Sequence, residues 1–263
     1  MAIKILTKEK KNIAVGDIVI GQDPVLIAGP CAVESREQLI ETAKALKDIG
    51  VHILRGSIFK PRTSPYDFQG LGIEGLKYLK EASEITGLLT ITEVMEEKYL
   101  EEVAEVVDII QIGLRNMYNY PLLKAAGALN KPVLLKRGMS ATIKEWTMAA
   151  EYLAANGNEN IILCERGIRS FDDYTRNTLD LAAVPIMQKE TGLPVIVDPS
   201  HGTGIKSLIK PMSLAAVAGG ADGLMIEVHI RPEEALCDGK QSLTPSEYGE
   251  IVKALKDMNL LER

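Results

Sequence analysis

At 263 residues with 46% hydrophobic content, the chain has the length and core-forming capacity of one α/β barrel and leaves little for a second domain. A formal net charge of −6 excludes general nucleic-acid binding, because neutralising a phosphate backbone requires a basic surface. Three cysteines in a chain of this length do not make a disulfide framework and point to a reducing, cytoplasmic setting. The lysine-dotted N-terminus is no signal peptide, and the most apolar stretch, residues 214–226, is too broken by Gly219, Gly220, Asp222 and Gly223 to span a membrane.

In chain order, residues 12–15 and 17–20 read as a strand pair around Gly16, able to plug the bottom of a barrel. A strand over 25–28 precedes Cys31, and an amphipathic helix over 35–49 follows, with Ser35 as its cap, Leu39, Ala43, Leu46 and Ile49 on one face and Gly50 as its stop. Strand 51–54 leads to Arg55 and then to the longest irregular connection, 56–72, whose length marks it as functional. Helix 75–86, strand 88–91 before Glu93, helix 98–107, strand 109–112 before Gly113 and Arg115, and helix 120–128 continue the alternation. Strand 133–135 ends at Lys136, and helix 142–156 opens on a Thr142/Glu145 capping box. Strand 161–164 runs into Glu165 and Arg166, and helix 174–191 leads to strand 195–197 before Asp198 and His201. The run 198–204, with Gly202 and Gly204 around Thr203, has the composition of a phosphate-binding nest. Helix 205–218, ended by Gly219 and Gly220, strand 224–226 before Glu227, and helix 245–258 complete the series.

Short β-branched runs separated by helical periodicity, repeated about eight times, predict a single (β/α)8 barrel over 23–263 behind a hairpin extension over 1–22. In that fold the strand C-termini converge, so the residues that end the apolar runs share one mouth. Cys31, His201, Glu227 and Asp238 would follow the first, seventh and eighth barrel strands, which become neighbours on closure. A thiolate, an imidazole and two carboxylates suit a divalent transition ion such as Mn, Fe, Co or Zn rather than calcium or magnesium. Arg55, Lys60, Arg115, Lys136 and Arg166 suit a small ligand carrying both a carboxylate and a phosphate. So many buried cations without anionic partners would require the ligand to supply the opposite charge. His52 and His229 read as structural, as do the Cys164 and Cys237 thiols. Asp198 is placed to fix His201.

Seven motifs carry a resemblance. They are Gly29-Pro30-Cys31, Lys60-Pro61-Arg62-Thr63-Ser64, Gly113-Leu114-Arg115-Asn116, Leu135-Lys136-Arg137-Gly138, Cys164-Glu165-Arg166-Gly167, Arg176-Asn177-Thr178-Leu179-Asp180 and Asp198-Pro199-Ser200-His201-Gly202-Thr203-Gly204. Together, from about Asp23 to Pro245, they resemble 3-deoxy-D-arabino-heptulosonate 7-phosphate (DAHP) synthases of the short type. The resemblance implies a metal-dependent barrel that condenses phosphoenolpyruvate with erythrose 4-phosphate, the first step toward aromatic amino acids, in a cytoplasmic homo-oligomer (dimer or tetramer). It implies Cys31, His201, Glu227 and Asp238 on the metal. Arg115, Lys136 and Arg166 would hold the phosphate of phosphoenolpyruvate, Arg55 and Lys60 its carboxylate, and Arg62 and Thr63 the aldose phosphate. Pro61, Gly113 and Leu114 would complete the substrate surface, and Lys60, Glu93, Lys136 and His201 would be the catalytic set. Tyr118 departs from the Gln that many relatives carry there, and no appended regulatory or mutase domain is expected.

The sister reading is 3-deoxy-D-manno-octulosonate 8-phosphate (KDO8P) synthase, which takes arabinose 5-phosphate. In that family the lysine is followed by Ala-Asn-Arg, whereas this chain has Pro61-Arg62, which favours erythrose 4-phosphate. A non-catalytic barrel sensing phosphometabolites would have no reason to keep all four metal ligands.

Overall fold

The apolar runs become a closed parallel barrel. Ahead of it, β1 (Ile13–Val15) and β2 (Ile18–Ile20) form an antiparallel hairpin. The barrel strands are β3 (Val25–Gly29), β4 (Ile53–Arg55), β5 (Leu89–Glu93), β6 (Ile109–Ile112), β7 (Val133–Lys136), β8 (Ile161–Glu165), β9 (Val195–Val197) and β10 (Gly223–Glu227). They pair in sequence order, and β10 closes on β3. Around them lie helices α1 (Arg36–Ile49), α2 (Ile73–Thr86), α3 (Leu100–Val106), α4 (Tyr120–Ala128), α5 (Ile143–Ala155), α6 (Ala183–Thr191), α7 (Pro199–Thr203), α8 (Lys206–Ala218) and α9 (Pro245–Asp257). This computed structural model describes residues 3–6 and 9–262. Met1, Ala2, Thr7, Lys8 and Arg263, and with them the outer ends of the 1–22 and 23–263 segments, lie outside the described residues.

Local signals set the helix ends. Ser35 accepts from the Gln38 amide, Gly50 closes α1 in the left-handed region at φ 94°, and the Thr142/Glu145 capping box forms in both directions. Thr244 and Glu247 make a second capping box at α9, which the same sequence pattern would have revealed.

Two expectations about local structure fail, one where the chain bonds across the fold and one where it bonds to itself. Helix 174–191 is only the nine-residue α6, because the preceding residues bond elsewhere: the amides of Arg176 and Asn177 donate to the carbonyls of Thr203 and Gly202, and Thr178 bridges to Ile168. Residues 198–204 are not a phosphate nest. They form α7, capped by Asp198, and the amides of His201, Gly202 and Gly204 are taken up by Asp198 Oδ1, the Asp198 carbonyl and the Ser200 carbonyl.

Side chains alternate across each strand, so a residue filling the barrel interior is followed two positions later by one at its top. Ile53, Ile91, Ile109, Leu134, Ile196 and Met225 pack in the interior, and Arg55, Glu93, Gln111, Lys136, Asp198 and Glu227 follow them. Arg55, Glu93, Lys136 and Glu227, expected after the strands, are therefore their last in-pointing members. Cys164, two after Ile162, stays within the apolar interior, where burial pushes its thiol up to about 12. Ile13, Val15 and Ile20 of the hairpin join the same interior cluster and close the end opposite the site.

Ile20 has no exposed surface. Ile20→Ala should cost about 2–5 kcal/mol in urea unfolding, the range for a core truncation that leaves a cavity. A loss near zero would mean that the hairpin only decorates the barrel.

Candidate active site

The mouth holds a cavity of about 180 Å³ lined by Arg55, Lys60, Pro61, Arg62, Thr63, Asp67, Glu93, Gln111, Gly113, Leu114, Arg115, Lys136, Arg176, His201 and Asp238. A smaller recess of about 120 Å³ adjoins it, walled by Leu114, Arg115, Met139, Arg166, Arg169, Arg176 and Asn177. Cys31 and Glu227 are buried and do not line the cavity.

The four expected metal ligands converge. One donor atom from each of Cys31, His201, Glu227 and Asp238 lies within 4.8 Å of every other. His201 Nε2 is 3.0 Å from Glu227 Oε1 and 4.0 Å from Asp238 Oδ2, and the Cys31 thiol is 3.1 Å from Asp238 Oδ2. Glu227 Oε1 is buried at this point, and its neighbours are cations, His201 Nε2 at 3.0 Å and Arg55 Nη1 at 3.3 Å, neither in hydrogen-bond geometry. A borderline-soft mixed donor set of thiol, imidazole and two carboxylates, with one donor atom of each gathered within 4.8 Å, fits a transition ion.

The supports of these groups are equally buried. Asp198, with no exposed surface, accepts from the His201 backbone N–H at 3.0 Å and pairs with its Nδ1 at 2.7 Å, turning Nε2 toward Glu227. Burial opposes charge on His201, but the Asp198 and Glu227 carboxylates outweigh it and raise its pKa to about 9. Both carboxylates are held well below their ordinary range despite burial, with the His201 charge as the leading counterweight. Burial, aided by the Cys237 thiol and Glu227, raises Cys31 well above an ordinary thiol. A metal ion held by these groups would have to displace protons from both Cys31 and His201.

The basic set is partly compensated by the protein, which corrects the expectation that a ligand supplies all of its counter-charge. Lys136 Nζ is 2.6 Å from Asp198, Arg55 is 3.3 Å from Glu227, and Lys60 donates to Cys31 Sγ at 2.6 Å and lies 3.6 Å from Asp238. Arg115 and Arg166 have no carboxylate within 4.0 Å among the described residues. Arg166 donates to the Gly167 and His201 carbonyls and keeps a buried, unpartnered Nε. Arg62 donates to Asp67 at 3.1 Å and to Cys237 Sγ at 2.8 Å.

Glu93 lies across the cavity, where its carboxylate accepts from Gln111 Nε2 at 3.2 Å. Gly113 makes room for it: a Cβ there would stand 1.9 Å from Glu93 Oε1. His52 is structural as expected, its Nδ1 accepting from the Leu26 amide. Cys237 is not a remote thiol. Its Sγ is 3.4 Å from that of Cys31, a neighbourhood created by the 228–243 loop folding back over β3. Gln111 could have been read from strand alternation and Arg176 stands in a quoted motif without a role, whereas Cys237 and Gln241 carried no local signal.

Residues 3–262 match the DAHP synthetase I family. The chain is 55% identical over 251 residues to the phospho-2-dehydro-3-deoxyheptonate aldolase of Thermotoga maritima, an alignment covering 95% of this chain and 74% of that protein. The crystal structure of the Thermotoga maritima DAHP synthase superposes with a TM-score of 0.93 at 53% identity, covering 97% of this chain and 76% of that one. A truncated form of 3-deoxy-D-arabino-heptulosonate 7-phosphate synthase from the same organism gives 0.89 at 50% identity, with 97% and 95% covered. The 2-dehydro-3-deoxyphosphooctonate aldolase of Magnetococcus marinus is 35% identical over 90% of this chain and 88% of its own. The barrel, its mouth and these likenesses place the chain in the DAHP synthetase I family.

Proposed function

We propose that the chain condenses phosphoenolpyruvate with erythrose 4-phosphate to give DAHP and inorganic phosphate. The observation that carries this reading is the pairing of one four-donor cluster with two arginines, Arg115 and Arg166, left without protein carboxylates beside it. The active form proposed is a cytoplasmic homo-oligomer; the exposed rings of Tyr66, Phe171 and Tyr174 give such an assembly apolar surface to bury. Among the described residues no helix is long and apolar enough to cross a membrane.

Cys31, His201, Glu227 and Asp238 would hold a divalent transition ion, and when bound that ion supplies Lewis acidity toward an aldehyde carbonyl. Arg115, Arg166 and Lys136 hold the phosphate of phosphoenolpyruvate, and Arg55 and Lys60 its carboxylate. Arg62 exchanges Asp67 for the distal phosphate of the aldose, with Thr63 beside it. The new bond joins C3 of phosphoenolpyruvate to the aldehyde carbon. Water adds at C2, and phosphate then leaves. Glu93, oriented by Gln111, accepts the proton of that water, and Lys136, anchored by Asp198, donates one to the product side.

Four outcomes test this reading. Chelation should abolish turnover, add-back of Mn²⁺, Co²⁺, Fe²⁺ or Zn²⁺ should restore it to differing extents, and Cys31→Ala should lose metal by elemental analysis while keeping its circular dichroism. Full activity in excess chelator would contradict the proposal. In steady-state assays, kcat/KM for erythrose 4-phosphate should exceed that for the one-carbon-longer arabinose 5-phosphate by at least ~100-fold, since a misplaced aldehyde loses its orientation. Arg62→Ala should raise KM for the aldose phosphate far more than for phosphoenolpyruvate. Gly113→Ala, which pushes the Glu93 carboxyl aside, should lower kcat at least ~10-fold, as expected for a displaced proton-transfer group. An unchanged kcat would remove Glu93 from the chemistry.

A further inference from the structure

Arg176 belongs to the stretch that the sequence predicts as helix and that instead runs along α7. Its backbone N–H donates to the Thr203 carbonyl at 2.8 Å, and the neighbouring Asn177 donates from its amide to Gly202 O at 3.1 Å and from Nδ2 to His201 O at 3.0 Å. The fit is close. Gly204 has φ +68°, and a Cβ there would meet Arg176 Cβ at 2.7 Å. The base of the Arg176 side chain is thereby fixed against the turn that carries His201.

From that base the guanidinium reaches across to the loop after β10. Arg176 Nη1 lies 3.6 Å from Asp238 Oδ1 and donates to Gln241 Oε1 at 3.3 Å. Gln241 in turn donates through Nε2 to the buried Glu227 carboxylate. One cation therefore touches one carboxylate of the cluster directly and a second through an amide. Asp238 is the member most in need of support: its backbone is left-handed at φ 53°, and its side chain is 21% exposed where Glu227 is fully buried. Its Oδ2 faces Cys31, Lys60 and His201, so its other oxygen, at Arg176, sets the rotation of the carboxylate.

We propose that Arg176 is a positioning residue for the metal cluster, orienting Asp238 and, through Gln241, Glu227, and so tying the 168–182 segment to metal affinity. The inference rests on the four-ligand reading given above. Outer partners of metal ligands typically change affinity 10–100-fold when removed.

The test is titration of Co²⁺ into metal-stripped full-length chain, followed by thiolate-to-cobalt charge-transfer absorption and by competition with a chelating dye. Arg176→Ala should weaken Co²⁺ binding by about 10–100-fold, and Gln241→Ala should weaken it too. The double variant should lose less than the sum of the two, because both act on one connection. Arg176→Lys, which keeps one cationic donor, should recover part of the loss, so an Arg176→Ala chain that fails the urea unfolding control still leaves the proposal open to refutation. Unchanged Co²⁺ affinity in both Arg176 variants would overturn it, as would unchanged affinity with a raised KM for either substrate, which would make Arg176 a substrate ligand. A wild-type chain that binds no Co²⁺ through a thiolate would instead overturn the four-ligand reading itself.

Discussion

A carboxylate with no exposed surface sits at the centre of the barrel mouth, and the arrangement of the cavity follows from it. Asp198 accepts from the backbone and the ring of His201 and from the ammonium of Lys136. An isolated charge at that depth would be prohibitive, and removing one partner of such a pair is far costlier than never having had it. Each neighbouring charge is compensated in the same way: Glu227 by Arg55 and His201, Lys60 by Asp238. The result is a lattice of alternating sign whose geometry is set before any substrate arrives. Arg115 and Arg166, left outside it, keep positive charge with no carboxylate within 4.0 Å among the described residues, which is what the proposed phosphate ligand requires of an acidic chain.

The strand period places this lattice. Because the interior is filled by Ile53, Ile91, Leu134, Ile196 and Met225, the positions two residues on reach the top of the barrel whatever their polarity. The apolar layer beneath excludes water from one side, and the hairpin residues Ile13, Val15 and Ile20 exclude it from below. A thin packed core thus carries a charged roof, which explains why several functional groups occupy strand termini rather than free loops.

What could be read from the sequence divides along the same physical line. Ser35, Gly50 and the Thr142/Glu145 box act on their own helices, and the β-branched runs bury themselves wherever the barrel closes, so these features were legible. Cys31, His201, Glu227 and Asp238 were legible as a set because barrel closure makes the strands that bear them neighbours. The 174–182 stretch was misread because its backbone bonds go to α7 and to Ile168, and nothing within the stretch announces partners so far along the chain. The 198–204 run was misread for the opposite reason: its glycines suggested donors free for a ligand, yet Asp198 and the helical turn take those donors up. Cys237 reaches the cluster only through the path of a long loop, so its thiol looked anonymous in the sequence.

The central claim is that one ion joins Cys31, His201, Glu227 and Asp238 at the floor of a cavity built for two phosphorylated substrates. Anomalous diffraction at the manganese edge from crystals grown with Mn²⁺ and phosphoenolpyruvate tests it most directly. The account predicts a single strong peak enclosed by those four side chains, with the phosphate of phosphoenolpyruvate on Arg115 and Arg166. A peak bounded by other residues, or phosphoenolpyruvate bound in order with no anomalous density among the four, would contradict it.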